Sequence, residues 1–307
     1  MSDFSRRTAL KVLAGGGVAT AVCSRANASG IEHPSDEHAA AMLYDSTICT
    51  GCNACVVACT KANNLTPDTH MSGGIWQMPL DLNSDTKNII KLYQDPEDPG
   101  TFSFIKRQCM HCIDPACATA CPFNALSKDE RGVVSWDGSL CIGCRYCEVA
   151  CPFEIPKFEW DRFNPKIVKC EFCKERLDEG LQPGCTSVCP TGAVIFGTRK
   201  ELLDKAKDRI AQNPGKYYEQ RVYGEHDAGG TQVLYLSHVP FTKLGLPELP
   251  SESLAEYATS VHRKLYKWMA VPAGLYALLL GVMRRRWKVH EMEAAHEEAR
   301  TGLKDQI

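Results

Sequence analysis

Residues 141 to 152, CIGCRYCEVACP, place Cys141, Cys144, Cys147 and Cys151 within eleven positions, and three further groups of four cysteines stand elsewhere in the chain. They are Cys49, Cys52, Cys55 and Cys59 in CTGCNACVVAC; Cys109, Cys112, Cys117 and Cys121 in CMHCIDPACATACP; and Cys170, Cys173, Cys185 and Cys189 in CEFCKERLDEGLQPGCTSVCP. Of 17 cysteines in 307 residues only Cys23 is outside this repeat. Thiols so arranged could form disulfides, hold zinc or hold iron–sulfur clusters. Cysteines at CxxC spacing are poor structural disulfide partners, and a chain of this length has apolar residues enough to fold without staples. Zinc calls for two separated CxxC pairs closing one tetrahedron, which CxxCxxCxxxCP does not supply.

That run is the bacterial ferredoxin signature. Three closely spaced thiolates grip one 4Fe-4S cluster, and the fourth cysteine, one helical turn on, faces away and ligates the other cluster of a pair. The groups must therefore pair. The second and third, with 19 residues between Cys121 and Cys141, read as one two-cluster module; the first and fourth read as another, into which it is inserted. The expected ligand sets are Cys49, Cys52, Cys55 with Cys189; Cys170, Cys173, Cys185 with Cys59; Cys109, Cys112, Cys117 with Cys151; and Cys141, Cys144, Cys147 with Cys121. Pro122, Pro152 and Pro190 follow three of the fourth cysteines, and Thr60 stands at that position in the first group. His111, between two ligands, could tune a cluster by hydrogen bonding, but nothing in the spacing demands it.

The elements that must position these groups are short. NIIKLYQ and TFSFIKRQ read as strands joined by the turn DPEDPG, and GVVSW, GAVIFG and TQVLYL as further strands. Residues 199–212, with Leu202, Leu203, Ala206 and Ile210 on one face, read as an amphipathic surface helix. The fold class is α+β: two bacterial-ferredoxin-like modules, one inserted in the other, plus a single C-terminal transmembrane helix. The four-cluster domain is expected over 40–245, its outer module from 40–62 and 165–200 and its inserted module at 105–160.

The two ends read as address and anchor. Arg6 and Arg7, an apolar stretch from Val12 to Val22 and Ala26-Asn27-Ala28 make residues 1–28 a twin-arginine signal peptide cleaved after Ala28; Val22 is too bulky for Cys23 to serve as a lipid-attachment site. Clusters assembled on thiolates in a reducing cytoplasm suit a route that exports folded cargo. After a proline-rich linker at 246–263, Trp268 to Met283 is an uncharged apolar run, read as the core of a transmembrane helix at 264–288 with a cytoplasmic tail at 289–307. A net charge of −2 leaves no electrostatic footprint for nucleic acid, and neither a Gly-rich dinucleotide loop nor a nucleophile elbow is present.

MLYDSTICTGCNACVVAC, FIKRQCMHCIDPAC, PGCTSVCPTGAVIFGTRKEL and GGTQVLYLSHVP resemble the four-cluster electron-transfer subunits of periplasmic oxidoreductases, with the hydrogenase-2 type the nearest in kind, over roughly residues 42 to 288. The resemblance implies a nickel-iron hydrogenase of large and small subunits as electron donor, an integral membrane subunit that exchanges electrons with quinone, and a position on the periplasmic side of the cytoplasmic membrane. Some relatives lack the third cysteine of the second group; here it is Cys117, so four 4Fe-4S clusters are expected. The iron–sulfur subunit of a periplasmic formate dehydrogenase is the nearest alternative, though such subunits generally lack their own signal. A subunit of a sulfur-compound or nitrogen-oxide reductase is a third reading, and a membrane-tethered ferredoxin shuttle is a fourth.

Overall fold

A computed structural model describes residues 39–67, 79–160, 162 and 165–302. The expected signal segment and Cys23 lie outside them. The chain divides into two compact units, Met1–Ser251 and Glu252–Ile307.

The first unit is organised by strand β1 (Ala40–Asp45), which the sequence analysis passed over. It lies between two partners, antiparallel to β8 (Val194–Thr198) and parallel to β9 (Val233–Leu236). The sheet is covered on both faces, so β1 shows none of the polar alternation that marks a half-exposed strand. Ala41 and Leu43 pack with Leu202 and Ala206 of helix α6 (Arg199–Gln212), while Met42 and Tyr44 join the core that contains the cysteines. Helix α6 begins on a capping box, Thr198 accepting from the Glu201 amide at 3.4 Å, and occupies the expected residues.

The expected hairpin is also present. Strands β2 (Asn88–Gln94) and β3 (Phe102–Gln108) pair in register from Asn88 opposite Gln108 to Gln94 opposite Phe102. Its turn is closed by the Thr101 hydroxyl donating to Asp98 at 2.7 Å. Two smaller ladders, β4 (Leu126–Lys128) with β5 (Val134–Trp136) and β6 (Lys157–Phe158) with β7 (Ile167–Val168), frame the second and third cysteine groups. The cysteines ride on short helices or the loops before them: α1 (Ala54–Ala62), α2 (Ala116–Thr119), α3 (Tyr146–Ala150), α4 (Lys174–Asp178) and α5 (Gly184–Ser187). Helix α1 packs on α5, and α2 on α3, so the first group meets the fourth and the second meets the third.

The second unit is one helix, α7 (Leu254–Gly302), and here the transmembrane expectation is corrected. Among the described residues no helix is long and apolar enough to cross a membrane. The uncharged run from Trp268 to Met283 covers about 24 Å against a hydrocarbon core of about 30 Å, and Lys267 and Arg284, Arg285 and Arg286 close it at both ends. Alanine, glycine, tyrosine and Pro272 dilute what apolarity it has. The helix also starts at Leu254, inside the stretch read as linker, so Pro272 lies in its interior rather than its first turn.

Candidate metal centres

Each cysteine group bends its backbone in the same way. The residue immediately before the second cysteine has positive φ in all four: Gly51 at 66°, His111 at 46°, Gly143 at 72° and Phe172 at 52°. A left-handed residue there curls the loop back on itself, which turns two thiols two or three residues apart toward a common interior. At Gly51 the choice of glycine has a second cause, since a Cβ would stand 2.4 Å from the Phe104 ring.

The four expected sets come together, each in its own place. Cys49, Cys52, Cys55 and Cys189 line one cavity of about 330 Å³. Cys121, Cys141, Cys144 and Cys147 line a second of about 310 Å³, with Leu126, Ile142 and Ile167 in its wall. For the third set, the Asn63 amide nitrogen lies 3.6 Å from the sulfurs of both Cys59 and Cys173, and Cys59 and Cys185 both act on Cys170. For the fourth, the thiols that act on Cys112 are Cys109, Cys151 and Cys117. All sixteen are free thiols. Among the described residues no group of three or more His, Cys, Asp and Glu closes tightly enough to hold a single ion. Sulfurs spread round a cavity, with apolar walls and few competing donors, are instead a donor set that fits a thiolate-ligated cluster.

Electrostatic interactions link the sets in succession. Cys55 of the first acts on Cys185 of the next; Cys170 of that set acts on Cys109; and Cys117 acts on Cys147 of the last. At the middle joint the rings of His111 and Phe172, equivalent residues of the repeat, stack with centroids 3.8 Å apart. His111 is fully buried, its Nδ1 accepts from the Val134 amide at 3.1 Å, and burial holds its pKa well below the ordinary range. The ring is thus a neutral packing element between two cysteine loops.

Burial dominates the electrostatics. It pushes the thiols of Cys55, Cys117 and Cys147 up to about 12 and Cys59 up to about 11, helped by neighbouring thiols. Such groups ionise only when a metal takes the place of the proton, so loading is coupled to proton release. Cys189 differs: burial raises it, but N–H groups of Val194, Ala193 and Thr191 and the Thr191 hydroxyl outweigh that and hold it below its ordinary value. Asn63, Lys87 and Glu171 are supporting residues that sequence reasoning missed. Lys87 donates to Asn63 at 3.0 Å and pairs with Glu171 at 2.9 Å, and Glu171 accepts from the Trp136 amide at 2.9 Å.

Residues 101–199 match the family model for a 4Fe-4S dicluster domain. The hydrogenase-2 operon protein HybA of Escherichia coli O157:H7 is 40% identical over 93% of this chain and 96% of its own length. The chain belongs to the HybA family. Within the wider group, the iron–sulfur subunit of the nitrate-inducible formate dehydrogenase of Escherichia coli K12 is 34% identical over 79% of this chain and 83% of its own, and that of formate dehydrogenase-O is 36% identical over 69% and 72%. The HybA likeness therefore extends over more of the chain, including regions beyond the cysteine groups. As a family member the chain is an iron–sulfur protein of the 4Fe-4S class.

Proposed function

We propose that this chain is the electron-transfer subunit of a periplasmic nickel-iron hydrogenase, holding four 4Fe-4S clusters on the four cysteine sets and linking the hydrogenase small and large subunits to a quinone-reactive membrane subunit. The observation that carries the reading is the linear succession of the sets, two from the interleaved outer groups and two from the inserted ones. Each terminal set has an exposed cysteine, Cys52 at one end and Cys144 at the other. When bound, the clusters supply one-electron chemistry at each set; the polypeptide supplies the ligands, excludes water and fixes their order.

Both terminal sets lie under apolar surface. Val57 and Val188 are exposed beside the first, and Ile142, Tyr146 and Val149 beside the last. Surfaces of this kind suit protein partners at the two ends. The outer end is assigned to the hydrogenase and the inserted end to the quinone-reactive subunit. Export by the twin-arginine route before partner docking completes the reading, and Arg6→Lys with Arg7→Lys should leave the loaded chain in the cytoplasm.

The test is copurification after mild detergent extraction, with iron and acid-labile sulfide measured on the anaerobic complex. A nickel-iron hydrogenase in the assembly and about sixteen irons in this chain are expected, four per cluster. About eight irons, bound zinc or a molybdenum enzyme as the stable partner would each overturn part of the proposal, the last in favour of the formate dehydrogenase reading that the 34% and 36% identities keep in play.

A further inference from the structure

Lys106 is a buried cation in the neighbourhood of the outer cysteine sets. It lies on β3 directly opposite Ile90 of β2, and directly opposed residues of an antiparallel pair share a face. Ile90 lines the cavity of Cys49, Cys52, Cys55 and Cys189, so the Lys106 side chain leaves the hairpin toward the cysteine core. Its residue exposure is 1%. The ammonium donates to the Gln108 side-chain oxygen, and the backbone carbonyl accepts from the Tyr235 hydroxyl at 2.7 Å, which fixes the strand beneath it.

A neutral amide is a weak partner for a buried ammonium, which is costly to desolvate unless a negative charge compensates it. The groups beside it are Cys185, Cys55, Cys170 and Cys59, one from the first set and three from its neighbour. The inserted pair has a buried cation of its own in Lys169, 2% exposed and acting on Cys117.

We propose that Lys106 is a fixed counter-charge of the two outer cysteine sets, positioned by the β2–β3 hairpin to favour the more negative, reduced form of the clusters they hold and so to raise their reduction potentials. The inference rests on the four-cluster reading above. It assigns the hairpin a role beyond packing: β3 carries a positive charge into the core beside the outer cysteine sets.

Redox titration followed by electron paramagnetic resonance on the full chain in its complex tests it, with wild type, Lys106→Met and Lys106→Arg compared. In Lys106→Met the reduced-to-oxidised ratio of the two outer clusters at fixed potential should fall about tenfold, 59 mV for a one-electron couple, while the inserted pair stays close to wild type. Lys106→Arg should keep the wild-type potentials. Unchanged outer potentials in Lys106→Met, an equal shift of all four clusters, or a shift as large in Lys106→Arg would overturn the proposal. If Lys106→Met does not load, Lys106→Gln is titrated in its place. Loss of the outer clusters in both neutral variants with full loading in Lys106→Arg supports the counter-charge, and loss in Lys106→Arg as well overturns it. Iron and sulfide on wild type separate the two levels: a wild-type deficit sinks the four-cluster reading, whereas full loading with no shift sinks only the role of Lys106.

Discussion

The set of Cys59, Cys170, Cys173 and Cys185 and the set of Cys121, Cys141, Cys144 and Cys147 share a CxxC turn with a left-handed residue before its second cysteine, yet they sit in different surroundings. In the first every cysteine is buried; in the second only Cys147 is, and Cys144 is exposed. The buried set is walled by elements from distant parts of the sequence: α1, α4 and α5, the β2–β3 hairpin through Lys106, and the Asn63–Lys87–Glu171 chain. The exposed set is walled by its own loop and short strands, with Arg145 lying 3.7 Å over the exposed Trp160 ring. A site in the middle of a line has to be insulated and held by the whole fold. A site at its end has to be reachable, and a local scaffold suffices.

The sharpest test of that contrast is the removal of one thiol from each. Cys173→Ser leaves a smaller hydroxyl in a fully enclosed place beside Asn63, and an unsatisfied buried polar group costs about 1–3 kcal/mol on top of the lost metal ligation. The outer module should fail to load, and the purified yield should collapse. Cys144→Ser, open to solvent, should lose only its own cluster, so iron falls by about four per chain while the rest keeps its spectrum. Equal losses in the two variants would mean that the sets are not structurally distinct.

Next in size is Asn63→Leu. The amide reaches Cys59, Cys173 and, through its oxygen, Lys87, so the change strips hydrogen bonds from two sulfurs and a partner from a cation. Hydrogen bonds to cluster sulfurs favour the reduced form. The potential of this cluster should therefore fall, with stability lower by about 1–3 kcal/mol from the unpaired groups. Potentiometry on the loaded complex checks the first effect and the rate of cluster bleaching in denaturant the second. A potential that stays put would reduce Asn63 to packing.

Asn63 and Lys106 also mark where the sequence stopped being legible. The spacing of the cysteines let ligand sets be proposed because ligand geometry is largely local, and the structure brings the first group to the fourth and the second to the third. The β2–β3 hairpin and α6 were legible because turn residues and a 3.6-residue period announce them. Asn63 is a single polar residue after α1, and only the approach of the fourth cysteine group puts Cys173 beside it. Lys106 reads as the polar position of an alternating strand, yet its face turns inward. β1 lacked any alternation because both its faces are covered. In the tail the error ran the other way: an uncharged run suggested a membrane span, but its length and composition fall short of one.

A smaller effect separates the two ends of the line. At Gly51 an added methyl would meet the Phe104 ring at 2.4 Å with φ at 66°, whereas at Gly143 it would meet Pro165 at 3.2 Å with φ at 72°. Both alanine variants bear the left-handed strain, about 1–3 kcal/mol, but only Gly51→Ala must also displace a ring wedged under the hairpin. Gly51→Ala should thus melt at a lower temperature than Gly143→Ala, and its deficit should sit in the Cys49 set. Phe172 and His111 adopt a similar φ with large side chains, so the fold accommodates this strain at the equivalent positions. If Gly143→Ala proves the more damaging, the hairpin is not the rigid wall assumed for the outer module.

The smallest effect should come from removing the second unit. The cysteines, the three-stranded sheet and the hairpin all belong to the compact unit that ends at Ser251. That unit keeps its own late contacts, including the Ala228 amide donating to the Pro250 carbonyl at 2.8 Å. None of the sixteen expected ligands lies in α7, and the described apolar side chains of its central run, such as Trp268, Val271 and Leu275, are exposed. A chain ending at Ser251 should load about sixteen irons and titrate as the full chain does, since each cluster would keep its ligands and walls. A loss confined to the exposed terminal sets would show that α7 shields the ends of the line. A loss in the buried middle would show that the core of the first unit is not self-sufficient, and the contrast between insulated centre and accessible ends would have to be redrawn with the helix included.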